Sequence, residues 1–423
     1  MGKGIKMRVQ KCKGTCDLAT AQMRRFRLIE DCFRDSCVKW GYQEVRTPTI
    51  EYLHLFTSTG TLTPGTLGKV YSFLDWDGWS GERVVLRPEG TIPAVRLYID
   101  ELADKSLARL FYVINTFIFE ETGKENREKW QCGVELIGAD SISADVELIT
   151  LSLEVLKKLG MENVELKLSH AGLIRALLTG FGLSPEEQGK VFDRILDGDV
   201  AVLTRLKEET PELARLLTPV LDMKGETPGF LRNLKTMFSS SLPEFIPALD
   251  NFIGLVDMLT AMGIKYQIDI ASGRGFEYYT GMIFQIYSGD AKLGGGGRYD
   301  ALIPLMGGQD TPASGFALQM NTLMNEIELP QFSEKQANKI LINMKQDRAD
   351  QVKSAHRIAE NLRAAGFIVS TQVDNENRDE FKWILDVNDK TPEVIVFDQA
   401  GKHKQTVQTI GELLKLLGGK SGS

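Results

Sequence analysis

The chain has 423 residues, 43% of them hydrophobic and 25% charged, with a formal net charge of −7. That length allows two or three domains with cores of their own, and the composition is that of an ordinary globular protein. No apolar run reaches the length that a bilayer crossing needs, so no membrane role is expected, and the acid excess offers no electrostatic pull toward nucleic acid.

The opening "MGKGIKMRVQKCKGT" is basic without the apolar core of a secretory signal, from which a cytoplasmic protein is expected. Cys12, Cys16, Cys32, Cys37 and Cys132 are odd in number and lack paired CxxC spacing, so they read as free thiols. From 17 to 40, Phe26, Ile29, Phe33, Cys37 and Trp40 recur at spacings of three and four, which predicts an amphipathic helix stopped by Gly41. "YQEVRTPTIE" reads as a strand running into Pro48, near a sheet edge or strand end. "RVVLRPEG", "ARLFYVINTFIFEE" and "KWQCGVELIGAD" are rich in aromatic and β-branched residues and predict a largely antiparallel sheet. Helical spacing returns from 143 to 159.

After the strand pattern "VELKLSH", apolar residues recur at helical intervals, and 163 to 263 reads as a helical insertion. Strands resume with "KYQIDIA", "GRGFEYYTG" and "MIFQIYS". The run "GGGGRYD" reads as a tight, bulged turn, and a last helix of this domain is expected to begin near Gly315. Residues 329 to 339 form a polar linker. Beyond it, "ILINM", a helix over 351 to 365, "FIVSTQV", "EVIVFD" and a helix over 409 to 417 alternate as a small α/β domain. The expected organisation is therefore α+β, with a core domain over 1–328, the linker 329–339 and a second domain over 340–423.

Polar side chains inside strands have to be paired or hydrated, because burying one alone costs about 1–3 kcal/mol. Four clusters pose that demand: Arg87, Glu89 and Thr91 in "RPEGT"; Gln131 and Glu135 in "QCGVE"; Arg274, Glu277, Tyr278 and Tyr279 in "GRGFEYYTG"; Arg298 and Asp300 in "GGGGRYD". Gln131 and Glu135 are four apart and share one face of a strand. Carboxylates, an amide, phenols and one arginine suit a small zwitterion, with acids for its ammonium and arginine for its carboxylate. An internal ion-pair network closing the sheet is an equally good reading of the same residues. The glycine run has no GxxxxGK[ST], and the GxG match near Gly294 lacks the strand–turn–helix setting of a dinucleotide site, so no cofactor is expected. His54, His170, His356 and His403 show neither HxxxH nor HExxH spacing; they read as structural or surface residues, and no metal is expected.

Taken in order, "KGTCDL", "GYQEVRTPTIE", "LRPEGT", "QCGVELIGAD", "GRGFEYYTG", "GGGRYD" and "GFAL" resemble the class II histidyl-tRNA synthetase family over nearly the whole chain. The resemblance implies an antiparallel sheet of six or more strands flanked by helices, an anticodon-binding-like terminal domain and dimerisation through "GYQEVRTPTIE". It also implies a histidine pocket. Glu89, Thr91 and Gln131 would meet the amino group, Arg274 the carboxylate, and Glu135 with Tyr279 the imidazole, with Tyr278 as a further lining residue.

Two motifs depart from the family pattern. Where its second motif reads FRxE, this chain has "FIFEE" with Ile118 at the arginine position; where its third ends GFAxGxER, this chain has "GFALQMNTL", with Gln319 for glycine and Thr322 for arginine. The loop "TGKENREKW" between them is one residue short and keeps only Arg127. Losing one donor to a displaced phosphate costs about 10²–10³ in rate, so amino-acid activation is expected to be nearly abolished and no catalytic residue is assigned. A pocket kept without its phosphate clamps suits a sensor, in which binding shifts a conformational equilibrium.

One branch of the family fits that description: the regulatory subunit of ATP phosphoribosyltransferase, which the insertion "LSPEEQGKVFDRILDGDVAVLTRLKEETPELARLL" also resembles. This implies histidine as ligand, a short-form catalytic subunit as partner, a homodimer within a hetero-oligomer, and a place at the first step of histidine biosynthesis. tRNA is not expected as a partner. An active histidyl-tRNA synthetase is the alternative, followed by another non-aminoacylating paralogue or an RNA-binding module built on the last domain.

Overall fold

The structure is a computed structural model that describes residues 11–60, 62, 67–76, 81–120, 122, 126–180, 211, 224–225, 227–239, 242–270, 279–328, 339–344, 348–371, 378–387, 394–398 and 403–418. The chain divides into two compact units, Met1–Glu328 and Leu329–Ser423. No helix among the described residues is long and apolar enough to cross a membrane.

In the first unit the strands are β1 (Gln43–Glu44), β2 (Ile50–Tyr52), β3 (Ser72–Trp76), β4 (Gly81–Leu86), β5 (Ala108–Phe117), β6 (Glu128–Ile137), β7 (Glu165–His170), β8 (Lys224–Gly225), β9 (Gln267–Asp269), β10 (Met282–Ser288), β11 (Ala291–Arg298) and β12 (Ala313–Gln319). Nine of them form one sheet in the order β1-β5-β6-β12-β11-β10-β7-β9-β8, and β2-β4-β3 form a second. The run from β5 to β7 is antiparallel throughout, as the sequence predicts. Among the described residues of this sheet, the parallel pairs lie toward the edges, at β1–β5 and β7–β9.

Helices α1 (Thr20–Lys39), α2 (Leu53–Ser58), α3 (Thr91–Leu97) and α4 (Ile142–Lys158) belong to the same unit. Alternation along β6 explains why the sheet has two unlike faces. Cys132, Val134 and Leu136 are buried in the main core with Ile29, Phe33 and Cys37 of α1, while Gln131, Gly133 and Glu135 point the other way. Phe26 meets Trp130 edge-on at 4.9 Å and Phe33 meets Phe111 at 6.0 Å, which seats α1 on the apolar face. Each such side chain contributes about 1.5–3 kcal/mol on burial. Gly41, at φ +82°, follows the end of α1 where the sequence predicts the stop.

Two local expectations are corrected. Residues 294–297 are not a turn but the interior of β11, between β10 and β12 in the middle of the sheet. Gly315 lies within β12, and the helix that follows begins at Met320. Strand propensity argues against four consecutive glycines, and close packing of neighbouring side chains overrides it. Of the insertion, residues 181–210 and 212–223 lie outside the described residues; helices at Ala171–Gly180, Gly229–Phe238 and Phe245–Ala261 are described.

The second unit holds β13 (Lys339–Asn343), β14 (Ile368–Thr371), β15 (Trp383–Val387), β16 (Val394–Asp398) and β17 (His403–Val407), ordered β14-β13-β15-β16-β17. The first three are parallel and the last pairs antiparallel. Its helix Ala349–Ala364 buries Ala355, Ile358, Ala359 and Leu362 at helical spacing. Helix Ile410–Leu417 starts from a reciprocal cap: Thr409 Oγ1 accepts from the Glu412 amide at 3.2 Å and Glu412 Oε2 accepts from the Gln408 amide at 3.0 Å. The sequence reading missed β15, whose Ile384 and Leu385 are buried on both faces and so do not alternate, and β17, which is short and polar.

Candidate functional site

Strand register builds the site. Glu135 lies opposite Leu110 and Gly315, Gly133 opposite Tyr112 and Ala317, Gln131 opposite Ile114 and Gln319, and Gly315 in turn opposite Gly297. Residues directly opposite share a face, so Tyr112, Gln131, Gly133, Glu135, Gly315 and Gly297 all belong to the face away from α1. The glycines are a floor. A Cβ on Gly315 would overlap the Glu135 carboxylate, one on Gly133 would overlap the Tyr112 ring, and one on Gly297 would lie 2.9 Å from ring atoms of Tyr279.

On that floor Glu135 is 1% exposed. Tyr112 donates its hydroxyl to Oε1 at 2.9 Å and Tyr299 donates to Oε2. Burial pushes the Glu135 pKa up to about 8, against the pull of the Tyr299, Tyr112 and Thr91 hydroxyls and with a further push from Glu89. Glu89 is 6% exposed, and its carboxylate accepts from the Thr91 amide at 2.7 Å and the Ile92 amide at 2.8 Å, capping the start of α3. Burial lifts its pKa to about 7. Tyr279 is buried, and burial together with the charges of Glu135 and Glu89 pushes its phenol up. Among the described residues no ion pair reaches Glu89 or Glu135. A pair of buried carboxylates with only neutral donors can accept from a ligand that brings N–H groups or positive charge.

The far end of the sheet has a different character. β5 and β12 both run antiparallel to β6, so their last residues lie at the same edge. Ile118 follows β5, is 36% exposed, and gives its amide to the Arg127 carbonyl at 2.9 Å. Gln319 ends β12 and accepts from the Thr322 hydroxyl at 3.3 Å. Arg127 is engaged locally: Nε donates to the Glu120 carbonyl at 2.8 Å, the guanidinium lies 4.5 Å from the Phe119 ring centre, and Gly14 abuts its side chain. Neither Ile118 nor Thr322 can offset phosphate charge.

A family model described as histidyl-tRNA synthetase matches residues 14–323. The chain belongs to the histidyl-tRNA synthetase family. Within it, this chain is 54% identical over 358 residues to the ATP phosphoribosyltransferase regulatory subunit of Dehalococcoides mccartyi strain BAV1, covering 85% of this chain and 86% of that one. It is 33% identical over 401 residues to the histidine–tRNA ligase of Methanocaldococcus jannaschii, covering 90% and 92%. The crystal structure of an ATP phosphoribosyltransferase regulatory subunit/histidyl-tRNA synthetase from Bacillus halodurans matches with a TM-score of 0.73 at 23% identity, over 86% of this chain and 92% of that one. That of histidyl-tRNA synthetase from Nostoc sp. PCC 7120 matches at 0.74 with 17% identity, over 98% and 99%. These two likenesses concern the fold, which is that of the class II synthetases, as the ordered motifs imply.

Against the synthetase-family pattern, the structure brings Glu89, Thr91, Glu135 and Tyr279 together. Gln131 shares their face but lies about 13 Å along β6 from Glu135, at roughly 3.3 Å per residue. Arg274, Glu277 and Tyr278 lie outside the described residues. Tyr112 and Tyr299 are the residues that sequence reasoning missed. Tyr299 stands inside the quoted "GGGGRYD", and Tyr112 could have been found by period-two counting along β5.

The other clusters split away from the site. Arg87, 3% exposed, donates to the carbonyls of Thr47, Pro48 and Asn115 at 2.8–2.9 Å and to the Asn115 side chain at 2.9 Å, so it ties β4 to β5 and to the segment before β2. Arg298 pairs with Asp145 at 2.8 Å and Asp300 at 3.3 Å and donates to the carbonyls of Ala139 and Ser141. For these two arginines the ion-pair and hydrogen-bond network is the right description. Cys12 and Cys16 are exposed, Cys37 and Cys132 buried, and Cys32 between, all as free thiols. Among the described residues no three His, Cys, Asp or Glu side chains stand together as metal ligands.

Proposed function

We propose that this chain is a regulatory subunit of ATP phosphoribosyltransferase: a non-catalytic, histidine-binding protein that partners a short-form catalytic subunit and controls the first step of histidine biosynthesis. The observation that carries the reading is 54% identity over 358 residues to a protein of that name, against 33% to a ligase. The site is consistent with it. Buried Glu135 beside Tyr279 offers acceptors for an imidazole; Glu89, Thr91 and Gln131 serve the amino group and Arg274 the carboxylate. Ile118 and Thr322 supply no charge for the triphosphate that activation requires. The working assembly is a cytoplasmic homodimer joined to the catalytic subunit.

The test is to mix the purified protein with a short-form ATP phosphoribosyltransferase subunit. Phosphoribosyl transfer that appears only in the mixture, and that responds to histidine, is the expected result. The competing reading is a histidine–tRNA ligase, because relatives so named extend over most of the chain. Histidine-dependent exchange of pyrophosphate into ATP at an enzymatic pace would overturn the proposal in its favour.

A further inference from the structure

The face that carries Glu135 continues across β10 to β7. Gly295, two residues before Gly297 and on its face, lies opposite Gln285, which in turn lies opposite Lys167. One step on, the register shifts between Ile286 and Tyr287, so that Tyr287 is opposite Lys292 where an unbroken ladder would set Leu293. The bulge re-aims both residues: Leu293 is buried in the main core, and Lys292 joins Tyr287 on the other face. Tyr287 donates its hydroxyl to Gln285 Oε1 at 2.5 Å, and Lys167 Nζ lies 4.7 Å from the Tyr287 ring centre. Lysines on β7 and β11 thus stand on either side of a phenol on β10. Among the described residues neither ammonium makes an ion pair, and Glu165, the acid opposite Tyr287, is exposed. Lys292 is half-buried, and burial alone lowers its pKa. An ammonium withdrawn from water without a counterion is costly, and an anion seated beside it removes that cost.

We propose that Lys167 and Lys292, with Tyr287 and Gln285 between them, form a second ligand site that takes a phosphate monoester. Two ammonium groups match the charge of about −1.5 to −2 that such a group carries near neutral pH, and lysine holds phosphate as a point charge without the fork geometry of arginine. Lys167, Tyr287 and Lys292 are half-buried, not enclosed, which leaves room for the organic part of the ester. Lys292 lies five residues along β11 from Gly297, about 16 Å at roughly 3.3 Å per residue, so the site is separate from the Glu135 pocket. It does not depend on histidine being the ligand there.

Calorimetric titration of the full chain with methyl phosphate, and thermal melts with and without it, test the idea at an ionic strength held constant with chloride so that screening does not change. The unchanged protein should bind methyl phosphate and melt higher in its presence. Lys292→Met and Lys167→Met should each weaken that binding by about tenfold or more. In chloride alone Lys292→Met should melt higher than the unchanged protein, because a half-buried charge without a partner has been replaced by an apolar chain of similar length. A lysine that only supported the fold would give the opposite shift. Absence of methyl phosphate binding, binding of inorganic phosphate alone, or equal methyl phosphate affinity in Lys292→Met and the unchanged protein would overturn the proposal. None of these results bears on the histidine reading, which the titration does not involve.

Discussion

Glu135, Glu89 and His170 are ionisable side chains buried at 1%, 6% and 3% exposure, and their burial ties stability to pH in opposite directions. The two carboxylates are raised from 4.5 to about 8 and about 7. Between those values the folded chain keeps protons that the unfolded chain has released, so their contribution is fully present below 4.5 and is lost as pH rises through 7 and 8. Thermal melts should therefore fall as pH rises from 6.5, above which the opposing His170 contribution is complete, to about 8, and Glu135→Gln, which cannot ionise, should flatten part of that fall. His170 is lowered by burial from 6.5 to about 4, held by Asn251 at 3.4 Å and beside Phe252. Here the unfolded chain takes the proton first, so stability is lost as pH falls from 6.5 toward 4. His170→Gln should shrink the acid-side loss and leave the alkaline slope in place, as the same melts would show. At this scale the sequence identified the carboxylates as candidates, because buried acids demand partners; it could not tell that those partners are two phenols for Glu135 and two backbone amides for Glu89.

Among the elements, β11 departs furthest from its sequence expectation. Its glycines are spaces that other residues fill: a Cβ on Gly295 would come 2.5 Å from the Phe284 carbonyl, and one on Gly296 would overlap the Gly315 carbonyl. Gly296→Ala has no flexible neighbour to displace, since backbone lies on that side, and it should lower the urea unfolding free energy by about 1–3 kcal/mol. A loss below about 0.5 kcal/mol, the range of an ordinary surface change, would mean that the strands part readily at this point. Elements whose pattern is local were legible. The apolar stripe of α1 and the alternation in β6 needed no knowledge of what they pack against. β11 and β15 were not, since a glycine run and a short apolar run take their conformation from neighbouring strands.

At the scale of the whole molecule, the second unit carries its own core, with Ile340, Ile342, Ala355, Leu362, Leu385, Val396 and Leu413 in one cluster. A fragment covering residues 339–418 should fold alone, giving a mixed α/β circular dichroism spectrum and a cooperative melt; a non-cooperative melt would show that it depends on the first unit. What the sequence determined by itself was whatever residue identity and short-range period decide. Periodicity gives helices and a largely antiparallel sheet, the ordered motifs carry the resemblance that implies the class II fold, and the absence of positive charge at Ile118 and Thr322 follows from the residues themselves. The tertiary structure alone decided which polar residues meet. Glu135 joins Tyr112 across 23 residues and Tyr299 across 164, while Arg87 and Arg298 turn to backbone carbonyls and Asp145. Those contacts depend on the register and order of strands far apart in the chain, which packing of the whole sheet sets and no local pattern encodes.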